Sequence, residues 1–125
     1  MDQEGLSHAM NLKQLKAKGG IVDALPVKKQ VSWTHLDSKT GKEVTDTLTL
    51  HVRRQSFGVI ERLFAESDSE LSRNARYIAA SVALGADGSE ALSYDDAYGL
   101  EPSLGFLILN AVNEVNGTGG AAAKN

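Results

Sequence analysis

The feature that most constrains this chain is a change of hydrophobic period near residue 55. Residues 26–53 alternate apolar and polar side chains with the two-residue period of a strand; residues 57–115 repeat apolar positions every three or four residues, as helices do. In Pro26 to Leu36, Val27, Lys29, Val31, Trp33 and His35 fall on one face. In Val44 to Arg53, Val44, Leu48, Leu50 and Val52 share a face interrupted by Asp46. β-Branched residues are dense in both segments. Asp37-Ser38-Lys39-Thr40-Gly41-Lys42 between them is rich in turn formers, so the pair reads as a β-hairpin. A lone hairpin is marginal in water and must pack on something. The helical half supplies that partner, and the expected class is α+β: an N-terminal β-hairpin followed by three to four α-helices.

Helix boundaries are written in caps. Asn11 to Lys18 reads as one or two helical turns capped by Asn11 and stopped by Gly19-Gly20. Ser56 caps a helix carrying Phe57, Ile60, Leu63 and Phe64. Ser67-Asp68-Ser69-Glu70 matches a capping box and is expected to open a helix through Leu71, Ala75, Ile78 and Val82, toward Leu84, stopped by Gly85. Ala86-Asp87-Gly88-Ser89 reads as a loop. Ser93-Tyr94-Asp95-Asp96 opens a short helix ending near Gly99, and Pro102 sits in the first turn of a last helix whose stripe is Leu104, Leu107, Ile108, Ala111, Val112 and Val115. Residues 1–10 read as a tag remnant or disordered stretch, with Ser7-His8-Ala9-Met10 like a cloning scar. Residues 11–116 are expected to form one domain, and 117–125 a disordered C-terminal tail.

Composition narrows function by subtraction. The 125 residues are enough for one core burying roughly two thirds of the unfolded surface. Cysteine is absent, which removes disulfides, thiol nucleophiles and thiolate metal sites. No apolar run approaches the roughly 20 residues that cross a bilayer, and no secretory signal is legible at the N-terminus; a cytoplasmic protein without membrane association is expected. His35 and His51 fall near opposite ends of the hairpin and read as polar residues of a half-exposed sheet. No HExxH, CxxC or His-x-His spacing exists, so no metal site is expected. Counted as an EF-hand from Asp87, positions 5, 6 and 12 are Ala91, Leu92 and Tyr98, which rules out that loop. Neither glycine-rich stretch follows a strand and opens a helix, and no GxSxG surrounds a serine. No catalytic residue and no cofactor are expected, and the chain reads as a binding or assembly protein, not an enzyme.

Charge is unevenly placed. Residues 1–54 hold nine Lys/Arg and six Asp/Glu; residues 55–125 hold four and ten, within a net charge of −3. The basic half has one aromatic residue, Trp33, so nucleic-acid binding is disfavoured. Ordinary surface variation accounts for such an imbalance; so does a head-to-tail contact between copies. For that contact the candidate residues are Arg53 and Arg54 on one side and Asp68, Glu70, Asp95 and Asp96 on the other. Trp33 is a packed residue or, if exposed, an interface anchor.

Five segments carry a resemblance. Lys18-Gly-Gly-Ile-Val-Asp23, Val27-Lys-Lys-Gln-Val-Ser-Trp33, Arg54-Gln-Ser-Phe-Gly-Val-Ile-Glu-Arg62, Asp87-Gly-Ser-Glu-Ala-Leu-Ser-Tyr-Asp-Asp-Ala-Tyr98 and Asn110-Ala-Val-Asn-Glu-Val-Asn-Gly117 are similar, in pattern and order, to the tail assembly chaperones of long-tailed (siphophage-type) bacteriophages and prophages. The likeness spans about residues 11 to 120. It implies a non-enzymatic morphogenesis factor that binds the long helical tape measure protein, recruits tail tube protein subunits and is absent from the mature virion. It also implies self-association into open spirals, residence in the host cell cytoplasm, and a longer product made by ribosomal frameshift. The other reading within tail biology is a structural protein, a terminator or connector, that stays in the particle.

Overall fold

A computed structural model of the chain describes residues 9–23, 25–65 and 71–117. The two alternating segments become β1 (Pro26–Leu36) and β2 (Glu43–Arg53), each 11 residues long. They pair antiparallel, with Pro26 opposite Arg53, Val31 opposite Leu48 and Leu36 opposite Glu43. The Asp37 carboxylate closes the turn by accepting from the Lys39 and Thr40 amides at 3.1 and 2.9 Å. From Lys29 onward the odd-numbered side chains of β1 are half-buried and the even-numbered ones exposed. Burial on β2 deepens toward its end, where Leu50 and Val52 are fully enclosed.

The sheet continues past the hairpin. Two short strands, β3 (Val82–Leu84) and β4 (Glu90–Ala91), extend it in the order β1-β2-β3-β4, all neighbours antiparallel. Residues 82–84 are therefore strand, where the apolar spacing predicts the end of a helix. The helix stops because Val82 turns extended (φ −113°, ψ 134°) and pairs with Val52, while Ala83 pairs with His51. Pairing there satisfies backbone groups along β2 and buries Val82, whereas another helical turn would do neither. The α+β class stands, but the helices do not simply follow one hairpin.

Five helices complete the described residues: α1 (Leu12–Ala17), α2 (Phe57–Ala65), α3 (Arg73–Ser81), α4 (Tyr94–Tyr98) and α5 (Pro102–Asn116). Asn11 and Gln14 form a capping box on α1, and Ser56 Oγ accepts from the Val59 amide at 3.3 Å. Helix α3 is capped by Ser72, whose Oγ accepts from Ala75 at 3.1 Å. The capping box expected at Ser67-Asp68-Ser69-Glu70 lies outside the described residues, as do residues 1–8 and the expected tail from 118 onward; Leu71, expected inside that helix, precedes it, because the Ser72 side chain makes the N-terminal hydrogen bond and the helix starts at Arg73. Ser93 and Asp96 cap α4 reciprocally, Pro102 occupies the first turn of α5, and Gly117 ends α5 in the left-handed region (φ 68°).

Helix α5 lies on β1, β2 and α3. Its Ile108, Ala111 and Val112 meet Leu50 and Val52 from the sheet and Tyr77 and Ile78 from α3 in one buried cluster. Asn116 fastens its last turn to the end of β2: Oδ1 accepts from the Gln55 amide, and Nδ2 donates to the Arg53 carbonyl. This docking fixes where the opposite, outward side of α5 points.

Candidate functional site

With Ile108, Ala111 and Val112 turned inward, α5 presents Ser103, Phe106, Leu107, Asn110 and Asn113 along another side, at the three- and four-residue spacing of one helical stripe. That stripe walls an open trough of about 720 Å³, closed on its other side by Trp33 and Thr34 of β1. Trp33 lies half-buried here, outside the main core cluster. Its indole N–H donates to Ser103 Oγ at 3.1 Å. Its ring stacks on His35, centroids 3.6 Å apart and planes at 15°. Alternation puts residues 33 and 35 on one face, so this stack follows from strand geometry.

Phe106 is 68% exposed although it stands in the middle of the last helix. It also borders a smaller hollow of about 260 Å³ with Ile78, Ala97, Tyr98, Leu100 and Leu109. Tyr98 is equally exposed there and stacks on Tyr94, centroids 5.8 Å apart. Phe106 is thus a ridge between two apolar depressions. Leu107, expected in the core stripe of α5, lines the trough instead, and Phe106 stands outside that stripe altogether. The signal was present: an aromatic residue standing outside a helix's core stripe.

The lining becomes more polar beyond Trp33. Thr34, His35, Leu36, Asp37, Glu101 and Ser103 line its continuation, about 580 Å³ in volume. Glu101 caps α5, accepting from Ser103 Oγ and from the Leu104 amide. Those two hydrogen bonds hold its carboxyl below the usual glutamate range. Hydrogen bonds from Thr40, and then from Lys39, do the same for Asp37. His35 Nε2 meets Asp46 Oδ2 at 2.7 Å, and that bond foremost raises the His35 pKa above its ordinary value.

The remaining sequence candidates are dispersed. Arg53 ends β2 on the surface, and half-buried Arg54 follows it; a Cβ built on Gly19 would lie 3.8 Å from Arg54 Nη1. Asp95 and Asp96 are exposed in the first turn of α4, where the Asp96 carboxylate accepts from the Ser93 amide at 3.3 Å. Among the described residues, no ion pair joins either arginine to either aspartate. Asp68 and Glu70 lie outside the described residues. His51 departs from the half-exposed sheet position expected of it. It is 5% exposed, and its Nε2 lies 2.9 Å from the Gly85 carbonyl, because β3 and its turn cover that end of β2. Among the described residues no group of three His, Asp or Glu side chains is gathered to hold a metal, and no helix is long and apolar enough to cross a membrane.

Compared with known families, residues 13–116 match the family described as phage tail assembly chaperone, TAC. The chain belongs to the phage tail assembly chaperones. The match runs from α1 to the last residue of α5, so it takes in the hairpin, the short strands and both walls of the trough. Neither the curated proteins nor the solved structures give a significant match. Both walls of the apolar trough, α5 and β1, lie inside the matched residues.

Proposed function

We propose that this tail assembly chaperone binds the tape measure protein through the α5–β1 trough and recruits tail tube subunits to it. The observation that carries the reading is the open trough beside Phe106. A large aromatic side chain left exposed next to an apolar hollow marks a docking surface. An amphipathic helix can lay its apolar side into such a trough, and a long helical tape measure protein offers many such segments. The role is binding, in the host cytoplasm and during morphogenesis only. A frameshifted longer product would carry the same trough on an extended chain.

Co-expression with the tape measure protein tests this. The two are expected to co-purify, with more tape measure protein in the soluble fraction. If they neither co-purify nor change its solubility, the reading fails. Peptides of the chain found in purified mature tails would instead favour a terminator or connector.

Copies of the chaperone are further proposed to associate head to tail, Arg53 and Arg54 of one meeting Asp95 and the acidic side of α4 on the next. Such a contact repeats without closing into a dimer. Sedimentation at low and high salt should find multimers that shrink as salt rises; a monomer under all conditions removes the contact.

A further inference from the structure

The trough has a direction. Its apolar part, with Phe106 and Leu107, and its polar part, with Glu101 and Asp37, share Trp33, Thr34 and Ser103 as common walls. One continuous surface therefore runs from apolar to anionic. Among the described residues no Lys or Arg lines either part, and His35, the one titratable base among them there, faces Asp46 of β2 at 2.7 Å. Along α5 the lining stripe extends from Ser103 to Asn113, about 15 Å or nearly three helical turns. A purely apolar occupant would strip water from Glu101 and Asp37 without replacing it, and an acidic occupant would add like charge.

We propose that the trough takes an amphipathic helical segment whose apolar stripe ends in Lys or Arg, lying along α5 with its cationic end against Glu101 and Asp37. The proposal rests on the trough being the chaperone's docking surface, and adds the chemistry and the orientation of the segment it receives.

Trp33, the only tryptophan, stands at the junction and reports binding by its fluorescence. The probes are two synthetic helical peptides with the same leucine stripe, one ending in a pair of arginines and the other in a pair of glutamates. The arginine peptide is expected to shift Trp33 emission and to bind about 10-fold more tightly at low salt, with the gap closing at roughly 0.5 M NaCl. Glu101→Gln keeps an oxygen for the cap and should reduce the arginine preference alone. Phe106→Ser should weaken both peptides alike. Equal affinities, tighter binding of the glutamate peptide, or binding indifferent to Phe106→Ser overturns the proposal. The wild-type comparison of the two peptides stands even if a variant fails to fold. Tape measure protein that co-purifies equally with wild type and Phe106→Ser would leave the chaperone role intact and remove the trough from it. Failure to co-purify with wild type would remove the role itself.

Discussion

Trp33 is held from two sides by residues of unequal legibility. His35 shares its face of β1 and stacks on it, which alternation alone predicts. Ser103, which accepts its indole N–H, is 70 positions away and nothing local announces it. His35 adds a pH dependence. Both ring nitrogens face acceptors, Asp46 Oδ2 at 2.7 Å and the Leu36 carbonyl at 3.2 Å, so the protonated ring is the better satisfied form. Its pKa is accordingly raised, chiefly by the Asp46 hydrogen bond. A raised folded-state pKa contributes stability that is complete below the unfolded value and lost as pH rises through the folded one. The His35 part of the stability should therefore be complete below the ordinary histidine pKa and decline as pH rises through the raised folded-state value. Asp46→Asn should flatten that decline and lower the His35 pKa, read by NMR titration of the imidazole. An unchanged His35 titration in Asp46→Asn would contradict the pairing.

At the level of elements, periodicity and caps were legible where each element is long. The start of β1, the caps on α1 and α4 and the first turn of α5 follow from Pro26, Asn11, Ser93 and Pro102. The β3–β4 pair was hidden because Val82-Ala83-Leu84 extends the apolar spacing of α3, and three residues cannot express a two-residue period against it. Asp87-Gly88 was the better clue, being a favoured turn between short antiparallel strands. Gly85 and Gly88 both take positive φ there, 90° and 74°. Gly88 also lies over the buried His51: a Cβ on it would come within 2.7 Å of His51 Cγ. Gly88→Ala should thus destabilise the fold by about 2–4 kcal/mol, from left-handed strain plus displacement of a packed ring. Gly41 is the control, with φ 73° and nothing near its missing Cβ; Gly41→Ala should cost about 1 kcal/mol from the strain alone. Denaturant midpoints measure both, and equal losses would contradict the close packing of Gly88 on His51.

For the whole molecule, the helical half was legible as a partner for the hairpin, since two strands alone could not bury Val31, Leu48 and Leu50. The trough was not. It exists only because Ile108, Ala111 and Val112 commit one side of α5 to the core while β1 ends the sheet, leaving Trp33 and Phe106 to face an open hollow. Neither the imbalance of charge between the halves nor the periodicity contains that juxtaposition. It is also the feature on which the proposed docking role rests. The most direct measurement is co-purification of the tape measure protein with the wild-type chain and with Phe106→Ser, which removes an exposed side chain and spares the core. Soluble tape measure protein should be recovered with wild type and fall by at least about 10-fold with the variant. Equal recovery with both, or none with wild type, would contradict the proposed docking role.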